Sequence, residues 1–185
     1  RIKRTWRGEV CCAFHEGGRL MQTLVGLYIE DEPKNVTLMQ GRFSLFPGIK
    51  LIGIVTYPHT LEGVYDYVVE NDVDFLLIDH ELDKASVSYK GIEVLREIRR
   101  HDNNIYAVLL TNYPLDDYKD ELGEYDYQLN KAELKDTKKM NELIAKIRRA
   151  CALRKDNNTL SLMNEKNEEL NLLLQQIRRA TNREK

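Results

Sequence analysis

The sequence predicts an α/β fold, a doubly wound parallel sheet of five strands with helices on both faces, followed by a long amphipathic tail. Short apolar runs recur as "LVGLYI" (24–29), "LIGIV" (51–55), "FLLI" (75–78), "YAVLL" (106–110) and a weaker "YDYQL" (125–129). They are continuous rather than alternating, as strands covered on both faces are. Segments with helical spacing separate them. Such alternation implies parallel strands joined by right-handed crossovers.

The helical segments follow in order. Residues 33–46 place Val36, Met39, Phe43 and Phe46 on one side, and Pro33 suits a first helical turn. Residues 60–70 repeat the spacing with Leu61, Val64, Tyr65, Val68 and Val69, and residues 90–100 with Ile92, Leu95 and Ile98. "YPLDDYKDEL" is shorter and less apolar, with Pro114 near its start. "TKKMNELIAKIRRACAL" carries Met140, Leu143, Ile147 and Ala150. The chain thus divides into a basic leader over 1–22, which contains "EGG" and matches no element, a domain over 23–155, and a helical tail over 156–185.

The tail differs in kind. Leu160, Met163, Asn167, Leu170, Leu174, Ile177 and Thr181 follow one another at intervals of 3, 4, 3, 4, 3 and 4 residues. That is a heptad seam, with Leu160 and Asn167 at successive a positions. An Asn at one a position costs stability but fixes register and favours a parallel pair of chains. The expectation is a parallel dimeric coiled coil through Leu160, Met163, Asn167, Leu170, Leu174 and Ile177. The competing reading is a single helix packed on its own domain, to which the off-seam Leu162, Leu172 and Leu173 lend support.

Bulk properties narrow the function. The chain has 185 residues, 42% hydrophobic and 31% charged, with a net charge of −2. There is no global basic field for nucleic acid and no acidic disorder signature. No apolar run approaches the length of a membrane span. The chain begins with Arg and reads as a fragment or a processed product, and "RIKRTWRGEV" does not read as a signal peptide. Cys11, Cys12 and Cys151 make no disulfide framework, so a reducing cytoplasm is expected. "CCAFH" brings Cys11, Cys12 and His15 together but lacks a second ligand pair for zinc, so these residues are read as inert.

Ligands of open parallel sheets bind beyond the carboxyl ends of the strands. The first strand ends in Glu30, Asp31 and Glu32, the third in Asp79, with Glu81 and Asp83 close behind. The fourth ends in Thr111, and the fifth runs into Lys131 within "QLNKAEL". Taken singly, each has a bland explanation: acids before Pro33 suit a helix N-terminus, Thr111 suits a strand end, and Lys131 suits solvent. The joint order of acid pair, Asp, Thr and Lys, each at its own strand end, is the informative feature. His80 and His101 are read as structural or surface residues.

That order resembles the receiver domain of bacterial two-component response regulators, over roughly residues 23–153. The resemblance implies a flavodoxin-like sheet in the order 2-1-3-4-5. It implies that Asp79 is the phosphoacceptor, and that Glu30, Asp31, Asp79 and the backbone carbonyl of Glu81 surround one Mg²⁺ (or Mn²⁺), with Glu30 acting directly or through water. Thr111 and Lys131 then contact the phosphoryl group. The implied partner is a sensor histidine kinase or a phosphotransfer protein, and the implied role is regulatory rather than enzymatic, with self-catalysed phosphotransfer and dephosphorylation.

The chain departs from the family pattern in four places. Glu30 stands where Asp is usual. Ala132 replaces the usual Pro after the Lys, so a cis bond is not expected there. Gln128 stands where an aromatic residue commonly rotates on phosphorylation, with Tyr127 beside it. The loop "HELDKASVSYKG" is longer than usual and lacks the family's Pro. Two other functions compete with a switching receiver: a receiver-like interaction module that no longer switches, and a metal-dependent phosphatase. The phosphatase ranks last, because Glu81 stands where a second catalytic Asp is wanted. No membrane association and no nucleic-acid-binding module are expected.

Overall fold

The computed structural model describes residues 15–16, 19–20, 23–54, 56–82, 87–112 and 124–181. Strands β1 (Leu24–Ile29), β2 (Ile49–Gly53), β3 (Phe75–Asp79), β4 (Tyr106–Thr111) and β5 (Tyr127–Asn130) form one parallel sheet in the order β2-β1-β3-β4-β5. This is the expected 2-1-3-4-5 arrangement. The helices are α1 (Pro33–Phe43), α2 (Leu61–Glu70), α3 (Gly91–His101) and α4 (Thr137–Thr181). The segment "YPLDDYKDEL" lies outside the described residues, as do Cys11, Cys12 and Asp83. In the leader, His15–Glu16 and Arg19–Leu20 form a short antiparallel pair.

The continuous apolar runs are explained by two cores. Successive strand side chains point to opposite faces. Leu27, Ile29, Leu76, Ile78 and Leu109 pack with Val64, Val68, Leu95 and Ile98 of α2 and α3. Tyr28, Phe75, Leu77, Val108 and Leu110 pack on the other side with Met39, Phe43, Leu143 and Ile147 of α1 and α4. Burial of each such side chain contributes about 1.5–3 kcal/mol, so neither face of β1, β3 or β4 has room for a polar stripe.

Local chemistry sets the ends of these elements. Pro33 opens α1, where a missing N–H costs nothing. Thr60 caps α2 by accepting a hydrogen bond from the Gly63 amide at 3.3 Å. Strand β2 starts at Ile49, earlier than the apolar run suggested, because its pairing with β1 begins at Leu24 and Ile49. Gly48 precedes it at φ 74°, a left-handed conformation that suits glycine.

The main difference from expectation is at the C-terminus. The last helix of the domain and the tail are one helix, Thr137–Thr181, with no Gly or Pro to interrupt it. The boundary expected at 155/156 falls inside α4. Arg154 and Lys155 mark the end of its contact with the sheet. Arg154 bonds the Asp74 carbonyl at 3.1 Å and pairs with Asp102, while Lys155 pairs with the Asp74 carboxylate at 3.4 Å. Residues 156–163 are all exposed. No helix among the described residues is long and apolar enough to cross a membrane.

Candidate functional site

The carboxyl ends of the strands open into a cavity of about 430 Å³. Glu30, Asp31, Asp79, Glu81, Thr111 and Lys131 all line it. The fold therefore brings together every residue that the strand-end reading singled out for chemistry. Asp79 is the last residue of β3 and Thr111 the last of β4. Lys131 opens a 3₁₀ turn, Lys131–Lys135, that follows β5 directly. The turn is fixed by a capping box written in the sequence as "NKAE": Asn130 Oδ1 accepts from the Ala132 amide at 2.8 Å, and Glu133 Oε2 accepts from the Asn130 amide at 3.2 Å.

Lys131 Nζ lies between two carboxylates. It donates to Glu30 Oε2 at 2.7 Å and to Asp79 Oδ2 at 2.6 Å. Burial works against the lysine's charge, but the hydrogen bonds to Asp79 and Glu30 outweigh it and hold the group above its usual value. The two acids diverge. Burial pushes the Asp79 carboxyl up to about 6; Lys131 opposes this, and the charges of Glu30 and Asp31 add to it. Burial also acts upward on Glu30, yet the hydrogen bonds from Lys131 and Tyr28 outweigh it and hold that carboxyl below its usual value. Glu30 is thus held as an anion by its donors, whereas burial favours the neutral form of Asp79.

The donor set fits a hard divalent cation. One carboxylate oxygen each from Glu30, Asp31 and Asp79 lies within 4.8 Å of the others. An all-oxygen cluster of this kind suits Mg²⁺ or Mn²⁺ rather than zinc. Glu81 lines the same cavity two residues beyond Asp79.

No protein-family profile and no curated protein matches the chain. Solved structures do. The chain is similar to response regulator TrrA from Thermotoga maritima, solved in complex with Mg²⁺-BeF: 21% identity, TM-score 0.53, covering 68% of this chain and 99% of that one. It is similar to the receiver domain of a Francisella response regulator, at 17% identity and TM-score 0.55, covering 71% and 99%. The response regulator domain of Thermotoga maritima CheB gives 16% identity and TM-score 0.55, covering 71% and 98%. The chain has the receiver fold.

On that receiver scaffold, the structure also reveals partners that the sequence reading missed. Tyr28, 1% exposed, donates its hydroxyl to Glu30 Oε2 at 2.7 Å. Burial, followed by the charge of Glu30, drives this phenol far above its usual range, so it remains a neutral donor. Tyr57 approaches from the opposite face. Burial raises its phenol too, with Glu30 and Asp31 adding their charges. A tyrosine in an apolar run reads as core, and nothing in the sequence flagged either one. Gln128, at the position expected to be aromatic, accepts from the Tyr125 hydroxyl at 2.7 Å. No cis peptide occurs among the described residues, the bond before Ala132 included. His80 is buried, with Glu81 3.4 Å away. His101, read as structural or surface, stacks on Tyr65 with centroids 4.3 Å apart and lies 3.3 Å from Glu97.

Proposed function

We propose that the chain is a phosphoryl-accepting receiver of two-component signalling. Asp79 takes a phosphoryl group from a histidine kinase or a phosphotransfer protein, and the modified domain controls a dimeric or partner-binding output. The observation that carries this reading is the Lys131 ammonium held between Glu30 and Asp79 at the carboxyl edge of the sheet. Packing alone does not call for it. Buried ion pairs are often no more stabilising than apolar residues of the same volume.

The residues divide the work as follows. Asp31 and Asp79, with the Glu81 carbonyl, would hold Mg²⁺ (or Mn²⁺), and Glu30 would stand beside them. When bound, the cation screens the negative charge that phosphoryl transfer brings to the carboxylates. An Asp79 carboxylate oxygen attacks phosphorus. The new O–P bond forms as the donor's N–P bond breaks, and the electron pair leaves on the donor imidazole, which takes up a proton. Lys131 then exchanges a carboxylate partner for a phosphoryl oxygen, as a point charge. The Thr111 hydroxyl donates to another phosphoryl oxygen. The Mg²⁺-BeF complex of TrrA supports the same ligand chemistry here. A cytoplasmic setting accords with it.

The test uses acetyl phosphate with Mg²⁺ and intact mass. The wild type is expected to gain one phosphoryl group and Asp79→Asn none. An adduct that persists in Asp79→Asn, on the same time scale, overturns the assignment.

One observation favours a second reading, a receiver-like module that binds partners without switching. Gln128 is tied to Tyr125 where the resemblance expects an aromatic side chain free to rotate. Beryllofluoride with Mg²⁺ separates the two. A switching receiver changes its amide spectrum well beyond the site, and a constitutive module does not.

For the output, we infer that α4 pairs two chains in parallel. Leu160, Met163 and Leu170 are each more than half exposed on a helix that has left the domain. The side chains of Asn167, Leu174 and Ile177 lie outside the described residues. An exposed apolar stripe along a helix marks an interaction face, so a partner for it is expected. Light scattering should find a dimer for the wild type in the micromolar range and a monomer for Leu170→Glu. A monomeric wild type leaves the stripe to a different role.

A further inference from the structure

Glu30 differs from the Asp of the resemblance by one methylene, which carries its carboxylate farther from the backbone. Four donors account for where that carboxylate goes, the Asn35 side chain among them. The Tyr28 hydroxyl and Lys131 Nζ both reach Oε2, each at 2.7 Å, and the Glu32 amide reaches Oε1 at 3.1 Å. A carboxylate offers about four acceptor directions. Both directions on Oε2 are taken by Tyr28 and Lys131.

Of these donors, Lys131 is shared with Asp79, Asn35 with Glu32, and the Glu32 amide belongs to the turn into α1. Tyr28 is the one side chain dedicated to Glu30. Its ring is fixed in the core with Phe75 and Met39, so its hydroxyl cannot follow a shorter side chain. We propose that Tyr28 is a positioning residue of the cation site: it draws the longer Glu30 carboxylate back into register, so that it keeps its place beside Asp31 and Asp79. Tyr28 and Glu30 thus form a matched pair, and Asp at position 30 would be too short for this tyrosine.

The inference rests on the Mg²⁺ reading above and predicts a pattern that a packing role does not produce. Outer partners of metal ligands typically contribute about 10-fold or more to affinity. In calorimetric titration with Mg²⁺ alone, Tyr28→Phe should bind about tenfold more weakly than wild type. Glu30→Asp should lose a similar factor. The double variant should lose about tenfold, not a hundredfold, because a shorter acid no longer needs the phenol. Losses that multiply, or a Tyr28→Phe protein with wild-type affinity, overturn the proposal and leave the Mg²⁺ reading intact. A wild type that binds no Mg²⁺ overturns both. If Glu30→Asp fails to fold, Glu30→Gln replaces it: Tyr28→Phe should change nothing in that background, and a further tenfold loss overturns the proposal.

Discussion

Gly91→Ala is expected to lower the melting temperature by roughly 6–12 °C, from a destabilisation of about 3 kcal/mol. A Cβ at this position would lie 1.8 Å from the Asp79 carbonyl oxygen and 2.8 Å from Ile78 Cγ2. The obstacle is backbone, so no rotamer relieves it. Helix α3 must lift from the end of β3, or β3 must shift. Either movement breaks the hydrogen bond from the Gly91 amide to the His80 carbonyl, now 3.1 Å. It also displaces Asp79 relative to Lys131, so phosphoryl uptake should fall with stability. Gly41→Ala is the control. It occupies an exposed site in α1, with nothing within 4 Å of the added atom. There, Ala should stabilise by about 0.5–1 kcal/mol, because Gly loses more backbone entropy in a helix. Thermal melts by circular dichroism measure both. A Gly91→Ala protein that melts within a degree of wild type would mean that the approach of α3 to β3 is loose.

The strands and the site were legible in the sequence for the same reason. Strands buried on both faces leave uninterrupted apolar runs, so the first polar residue after each run marks a carboxyl end. Glu30, Asp79 and Thr111 each hold that place. Lys131 was legible by its order in the chain, and the neighbouring "NKAE" now explains why it points inward. Side-chain reach was not legible. Tyr28 lies in an apolar stretch, and only the folded distance distinguishes a core phenol from one bonded to a site carboxylate. The division of the tail was hidden for a different reason. The sequence changes character near Asp156, but helix propensity does not, so α4 continues while its contacts end. The latch that marks this change joins Arg154 and Lys155 to Asp74 and Asp102, residues far away in sequence.

Lys131→Met should separate the two duties of the lysine. Without metal, the variant leaves Glu30 and Asp79 as buried carboxylates with no ammonium between them; their side chains are 1% and 13% exposed. Removing one partner of a buried pair costs about 3 kcal/mol, so the midpoint in urea should fall at neutral pH. The loss should depend on pH. The Asp79 carboxyl, already up at about 6 through burial, loses the lysine that opposed the rise and moves higher. A carboxyl raised above its unfolded value contributes stability that is present below the unfolded pKa and is lost as pH rises through the folded one. The deficit of the variant should therefore be small near pH 4 and grow as pH passes 6. Mg²⁺ should reverse the order. The variant offers the cation a more negative site and no competing ammonium, so its Mg²⁺ affinity should exceed that of wild type, and added Mg²⁺ should recover much of the lost stability. Phosphoryl uptake should not recover. A charged donor aimed at the transferring group contributes on the order of a hundredfold or more to rate, and a cation bound by the carboxylates cannot occupy its place. Urea melts with and without Mg²⁺, paired with acetyl phosphate kinetics, measure the two effects in one protein. A variant that binds Mg²⁺ more weakly than wild type, or that is phosphorylated at the wild-type rate, would refute the role given to Lys131.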